Sequence, residues 1–377
     1  MMSEPRRIYS IDVFRGLTIS LMILVNIPGS WGHVYPQLRH ASWHGCTITD
    51  LVFPFFLFLV GASIRFAFVK WHYYPSSKFY KHIFWRSFSI FVAGLLLNLF
   101  PFIRQDWDFS TLRIMGVLQR IALAYGFSAI LIIKYDFKQL IQILTAILIF
   151  YWGLLWFGST GDPYSLSDNV IRRFDIFIFN PSHLYHGFHD SLNNKVAFDP
   201  ESIFSTIPTI ATVLIGYLMG GMIHTTKNYA DCSKRMSSFG LALVIIGLVW
   251  SLILPINKAL WTSSYVLFTG GISAIILAGL TYIIDNKNIK KPFWIFEVFG
   301  TNSIFLFILS GLWVKTMLLV KLTLNGSQVS AYNYLYKTLF VPILGNLNGS
   351  LFFAIFHVIG FWVILFWMQK KNIKIKL

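Results

Sequence analysis

Apolar residues fill this chain in long blocks instead of alternating with polar ones. Ten blocks reach the roughly 20 mainly apolar residues that a transmembrane helix needs: 14–33, 49–69, 83–100, 113–133, 139–157, 203–223, 236–254, 261–284, 293–318 and 349–369. Short polar connections separate them, apart from one long stretch at 158–202. The segment 331–345 is apolar too, but its tyrosine-rich start and the breaks at Pro342 and Gly345 predict an interfacial or re-entrant helix. No repeat or low-complexity tract interrupts the pattern. The expectation is an all-α fold: one integral membrane domain over 1–377, a polytopic bundle of about ten transmembrane helices.

Composition sharpens this. Of 377 residues, 56% are hydrophobic and only 12% charged, against about 25% charged in a soluble domain. That excludes a soluble enzyme and a disordered chain. The formal charge of +16 would point to nucleic acid in a soluble protein, whereas in a membrane protein it is the mark of basic cytoplasmic loops. With the N-terminus inside, nineteen Lys and Arg fall on the cytoplasmic side and ten on the other. Both termini are therefore expected in the cytoplasm and 158–202 outside, with lipid as the surroundings and no nucleic-acid partner. The start, with Arg6, Arg7 and Arg15-Gly16, shows no small-residue cleavage site. Cys46 and Cys232 are too few and too far apart for a disulfide framework.

A polar or ionisable group at membrane depth costs about 2.5–3.5 kcal/mol on insertion scales, so each needs a partner, water or a role. Asn26 is followed by Ile27-Pro28-Gly29-Ser30, which breaks the first helix. Next come Arg39-His40-Ala41-Ser42-Trp43-His44-Gly45 and Thr47-Ile48-Thr49-Asp50. Asp50 reads equally as an N-terminal cap of the second span and as the orienting partner of a histidine. His40 and His44 read as amphipathic loop residues or, for His40 with Asn26 and Asp50, as one polar cavity rim. In that second reading an imidazole takes a proton near neutrality, a carboxylate fixes its tautomer, and an amide donates to a carbonyl oxygen gaining charge.

A basic set comprises Arg7, Arg15, Arg86, Arg113 and Arg120, with Gln119 beside the last. Arg113 and Arg120 are seven residues apart, about two turns, and are expected on one helix face. Arginine suits bidentate phosphate contact. Lipid headgroups and the inside charge bias account for Arg7 and Arg86 as well, and an ion pair with Asp12 or Glu297 is the structural alternative for Arg120. In or near the long outside loop lie Asp175, Asn180, His183-Leu184-Tyr185-His186, Asp190 and Asp199-Pro200-Glu201. They suit a sugar or amine acceptor, or an ordinary solvated loop. The His-x-x-His pattern lacks a clear helix and its carboxylates are scattered, so no metal site is read there. Asn302, within an apolar span, is a further cavity candidate.

These residues form a pattern. Arg7-x-x-Ser10-Ile11-Asp12-x-x-Arg15-Gly16, Val25-Asn26, His40-Ala41-Ser42-Trp43-x-Gly45 and Asp50-Leu51-Val52-Phe53-Pro54 resemble the heparan-alpha-glucosaminide N-acetyltransferase family. Trp85-Arg86-Ser87, Arg113-Ile114-x-Gly116-Val117-Leu118-Gln119-Arg120, His183-Leu184-Tyr185, Asp199-Pro200-Glu201 and Asn302-Ser303-Ile304 follow in order. The resemblance implies a transmembrane acetyltransferase that takes acetyl-CoA from the cytosol and delivers acetyl to an amino sugar or glycan across the membrane. It carries the catalytic roles onto His40, Asn26 and Asp50. The CoA contacts fall on Arg7, Arg15, Arg86, Arg113, Gln119 and Arg120. Acceptor contacts are expected at His183, Tyr185, Asp199, Glu201 and Asn302. It also implies a homodimer. Starting directly at the Arg-Gly motif, the chain resembles a bacterial-type member, a multi-pass protein of the inner cell membrane. O-acetylation of an envelope glycan is the neighbouring reading. A secondary transporter of a sugar or organic anion is the alternative of another class, since intramembrane Asn26, Arg120 and Asn302 would serve it too.

Overall fold

Backbone amides surrounded by lipid must bond within their own segment, so apolar blocks become helices. The computed structural model describes residues 8–69, 76–102, 109–190 and 192–375. Its helices are α1 (Tyr9–Asn26), α2 (Ile48–Phe68), α3 (Ser77–Leu99), α4 (Val117–Lys134), α5 (Phe137–Gly158), α6 (Val170–Phe179) and α7 (Thr206–Thr225). They continue as α8 (Tyr229–Trp250), α9 (Ser263–Leu280), α10 (Trp294–Thr301), α11 (Ser303–Leu319), α12 (Ala331–Leu335) and α13 (Val341–Lys370). Two small antiparallel hairpins pair β1 (Phe188–His189) with β2 (Lys195–Val196), and β3 (Lys321–Leu324) with β4 (Ser327–Ser330).

Among the described residues, nine helices are long and apolar enough to cross a membrane, and ten if the bent pair 291–301 and 303–319 is one crossing. The surface confirms the class. Phe84, Trp85, Phe157 and Leu252 are each more than half exposed, the reverse of a soluble protein and the normal state of a lipid-facing helix.

Several boundaries differ from the sequence pattern. The first helix ends at Asn26 and not near residue 33, because Pro28 and Gly29 follow. The fourth starts at Val117, which leaves Arg113 in the extended segment before it. The ninth block is bent by 70° at Asn302.

The chain divides into two units. One comprises 1–11, 42–46 and 54–288. Its centre is α7 and α9, which carry the buried Thr209, Thr212, Ser263 and Ser273; such small polar residues allow close helix packing in membranes. A cap made from 159–205 sits on the ends of α5 and the loop after α8, where Tyr151, Leu155, Ile171, Phe198, Leu254 and Leu260 form an apolar core.

The second unit comprises 12–41, 47–53 and 289–377. Helix α1 lies against α10 so closely that a Cβ on Gly16 would sit 1.7 Å from the Phe296 carbonyl oxygen. At the other end of α1, the Pro28 carbonyl accepts from Tyr332 Oη (2.5 Å) and the Gly29 amide donates to the Ser350 carbonyl (3.2 Å). Gly345 adopts φ 72° and ψ 179°, breaking α13, and the part before it folds back: the Tyr332 and Phe340 rings lie 4.9 and 5.4 Å from that of Phe353. The fourteen helical residues from 331 to 344 span about 21 Å at 1.5 Å each, short of a hydrocarbon core about 30 Å thick. The helix break falls where Pro342 and Gly345 predict it.

Candidate active site

The loop between α1 and α2 is irregular but well bonded. Arg39 reaches back to the Val34 and Gly32 carbonyls (2.9 and 3.2 Å), and Thr47 Oγ1 donates to the Arg39 carbonyl (2.6 Å). This fixes the backbone on both sides of His40. Asp50, the third residue of α2, is buried. Its Oδ2 accepts from the amides of Thr47 (3.1 Å) and Ala41 (3.0 Å), which caps the helix and pins the loop. Its Oδ1 accepts from His40 Nδ1 at 2.6 Å. The two readings of Asp50, cap and histidine partner, are both correct, one for each carboxylate oxygen.

A carboxylate only accepts, so His40 donates from Nδ1, and the neutral form of the ring that keeps this bond has its lone pair on Nε2. The His40 side chain is 43% exposed while that of Asp50 is 2% exposed: an oriented imidazole on a buried anion. His44 is held in the opposite sense. Asn257 Oδ1 accepts from the Leu260 amide (2.8 Å), which turns its Nδ2 toward His44 Nδ1 at 3.3 Å. His44 Nδ1 is therefore an acceptor. Burial pulls the His44 pKa below its ordinary value, against the opposing pull of Asp162. Of the two, only His40 has the carboxylate-oriented form of a general base. Asn26 is the last residue of α1, exposed between buried Val25 and Ile27. Thr47 and the Asn257–His44 contact are absent from the sequence reading. A threonine three residues before Asp50 is the legible signal for the first; no local signal exists for the second.

The basic residues are sorted by the structure. The expectation of one helix face for Arg113 and Arg120 fails, since Arg113 precedes α4. Arg113 grips Asp199 with Nε and Nη2 (2.8 and 2.7 Å), bonds Glu201, and lies 4.9 Å from the Tyr185 ring centre. Burial opposes the charge on Arg113, but the two carboxylates outweigh it and raise its pKa. Residues expected to contact two ligands on opposite sides of the membrane thus bond one another, and Arg113 clamps this loop. Arg120 is fully buried; it donates to the Pro200 carbonyl (2.6 Å) and Ser205 Oγ and lies 5.0 Å from the Trp261 ring. Gln119 is buried and donates to the Ile114 carbonyl (3.0 Å). His183 Nδ1 donates to the Leu112 carbonyl (2.8 Å), and Tyr185 is exposed.

Asn302 is held by backbone from the end of the chain. It sits at the bend between α10 and α11, 2% exposed, with Nδ2 donating to the Ile373 carbonyl (3.2 Å) and Oδ1 accepting from the Ile375 amide (2.9 Å). Both ends of its amide hold the C-terminal tail. Arg15 pairs with Asp12 (3.2 Å) and approaches the Gly300 carbonyl (3.4 Å). Arg86 lies 4.8 Å over the Tyr125 ring. Arg7 falls outside the described residues.

Fold and site together define a polytopic membrane protein whose extramembrane loop presents a carboxylate-oriented histidine. Comparison with known families matches residues 7–257 to "Heparan-alpha-glucosaminide N-acetyltransferase, catalytic". The chain belongs to this family. It is 27% identical over 356 residues to the Homo sapiens heparan-alpha-glucosaminide N-acetyltransferase and 28% identical over 362 residues to that of Mus musculus. Each alignment covers 81% of this chain, and 52% and 53% of the relatives respectively. The chain spans about half the length of the curated relatives it matches.

Proposed function

We propose that this protein is a transmembrane acetyltransferase that moves acetyl from cytosolic acetyl-CoA to the amino group of a glucosamine-type sugar on the opposite side. The observation that carries the reading is the 2.6 Å bond from His40 Nδ1 to buried Asp50, in a chain of this family. His40 Nε2 takes a proton from the acceptor amine as its nitrogen attacks the thioester carbonyl. The new C–N bond forms, the Asn26 amide donates to the oxyanion, and the C–S bond breaks. The imidazolium, stabilised by Asp50, returns its proton to the departing thiolate. Arg15 and Arg86, with Arg7, are assigned to the donor side by the positive-inside distribution.

An acetyl group carried transiently on His40 Nε2 would use the same lone pair and the same Asp50 charge. Incubation with acetyl-CoA alone, followed by mass spectrometry of the His40 peptide, separates the routes: direct transfer leaves the peptide unmodified. The reading as a whole is tested with the purified chain, acetyl-CoA and a panel of amino sugars. Expected are thermal stabilisation by CoA and N-acetylated product, with transfer lost in His40→Gln. Full transfer by His40→Gln, or a chain indifferent to CoA, overturns it.

A further inference from the structure

We propose that the C-terminal tail, Lys371 to Ile375, belongs to the donor site and binds phosphate groups of the acyl donor through Lys371 and Lys374. The inference rests on acetyl-CoA being the donor and assigns it a contact outside the region that defines the family, which ends at residue 257.

Positive charge after a last transmembrane helix is expected from membrane sidedness alone, and such lysines ordinarily sit on a loose end. This tail is built. The amides of Lys371, Asn372 and Ile373 bond back to the Trp367, Gln369 and Met368 carbonyls (3.1, 3.0 and 2.9 Å), with Asn372 at φ 55°, a left-handed helix-closing turn. Beyond it, Asn302 holds residues 373 and 375 with both ends of its buried side-chain amide. A strand neighbour would bond the tail in the same way. The residue between those anchors is Lys374, which is exposed, as is Lys371. The anchor point is two residues from Gly300, whose carbonyl is approached by Arg15. The closing turn and Asn302 therefore fix the backbone that carries two exposed lysines, and Asn302 does so two residues from the carbonyl that Arg15 approaches. Asp12 is already paired with Arg15. Lysines on a fixed backbone at the same end as an arginine suit a polyanion, and phosphate is the polyanion of this reaction.

The test uses the full chain in nanodiscs of neutral lipid, comparing acetyl-CoA with acetyl-pantetheine, which lacks every phosphate. In Lys371→Gln/Lys374→Gln the KM for acetyl-CoA is expected to rise about tenfold, the loss appearing in KM and not in kcat. The KM for acetyl-pantetheine is expected to change less than twofold. Asn302→Ala, which releases the tail, should give the same rise, and adding it to the lysine pair should add little. Removing two lysines elsewhere, Lys138→Gln/Lys227→Gln, should leave KM alone. An unchanged KM in the lysine variant overturns the proposal, whether or not Asn302→Ala folds. So does an equal loss with acetyl-pantetheine, or an effect that appears only when anionic lipid is added, which would assign the lysines to headgroups. If the wild-type chain binds neither donor, the acetyl-CoA reading beneath the proposal falls with it.

Discussion

Asp50→Asn is the most informative single change, because asparagine keeps the shape and loses one acceptor. The carboxylate takes three N–H groups: His40 Nδ1 on one oxygen, the amides of Ala41 and Thr47 on the other. An asparagine has one carbonyl oxygen and one NH2. Aimed at the two backbone amides, the oxygen keeps the cap, and the NH2 then faces His40 Nδ1. Two donors cannot share that contact, so the ring takes the other tautomer and Nε2 becomes N–H. Aimed at His40, the oxygen keeps the tautomer but sets the NH2 against two backbone donors. The first arrangement loses fewer bonds. Stability should fall only by about 1–2 kcal/mol, the exchange of a charge-assisted bond for a neutral one. Activity should fall about 10²–10⁴-fold, the usual range for losing a positioned base, or about 2.7–5.5 kcal/mol in the barrier. The assay is kcat/KM for acetyl transfer, with a thermal midpoint in the same detergent to show that the variant is folded. A folded Asp50→Asn that keeps more than about a third of wild-type kcat/KM would refute the assignment of His40 as an Asp50-oriented base.

Other expectations follow from neighbouring contacts. Asn26→Ala should lower kcat by about 10²–10³-fold, the cost of removing one oxyanion donor, with the KM for acetyl-CoA changed less than threefold; equal loss in both would move Asn26 to ground-state binding. Arg113→Lys cannot reproduce the two-nitrogen grip on Asp199. It should lower the thermal midpoint, and Arg113→Ala, which strands two carboxylates, should cost about 3–5 kcal/mol. The acetyl-CoA KM of Arg113→Lys should stay at the wild-type value if the clamp is its whole role, and a large rise would assign Arg113 to the donor. Burial pushes the Asp175 carboxyl up to about 7, with Asp199 adding to it and Ser202 and Arg120 opposing. The folded state therefore holds this proton more tightly than the unfolded one. Its stabilising effect is complete below about pH 4 and is lost as pH rises to about 7, on the order of 4 kcal/mol. Asp175→Asn should flatten the thermal midpoint over that window and exceed wild type at pH 8; a parallel pH profile would count against the shift. Gly16→Ala should prevent α1 from docking on α10 and lower expression and thermal midpoint sharply, whereas Gly153→Ala, with open space around its Cβ, should be neutral.

The crossings were legible in the sequence because lipid tolerates one solution, and about 20 apolar residues announce it. Helix ends were less so. Asn26 looks like an interior residue until Pro28 and Gly29 are weighed, and Arg113 looks helical unless Gly116, which caps α4, is taken as the start signal. Asp50 and His40 were legible as candidates, being ten residues apart around one loop. Their bond depended on Arg39 and Thr47 bracing that loop, which no spacing rule encodes. The partners of Arg113 lie 86 and 88 residues away, beyond any periodicity, and motif order separated residues that bond directly. Asn302 stands out in the sequence as a cavity candidate within an apolar block. What satisfied it was backbone from the tail, and backbone leaves no residue signature.

Helix α1 links the proposed donor and transfer groups by a simple geometric relation. Arg15 and Asn26 are eleven residues apart, which is three turns within about 20°, so they share one face about 16 Å apart along the axis. Between them on that face lie Ile19 and Met22, both buried. One face of α1 thus carries a cation near its start, an apolar stretch, and an amide where the helix ends. A donor whose phosphates lie at Arg15 and whose extended pantetheine arm follows this face brings its thioester to Asn26. The break at Pro28-Gly29 sets where that amide stands, at the end of the helix and at the start of the loop that carries His40. Inserting one alanine between Ile19 and Ser20 would rotate Asn26 by about 100° and advance it 1.5 Å while leaving both end groups present. On this account that insertion abolishes transfer at intact CoA affinity, which substitution of either residue alone cannot distinguish from loss of a contact.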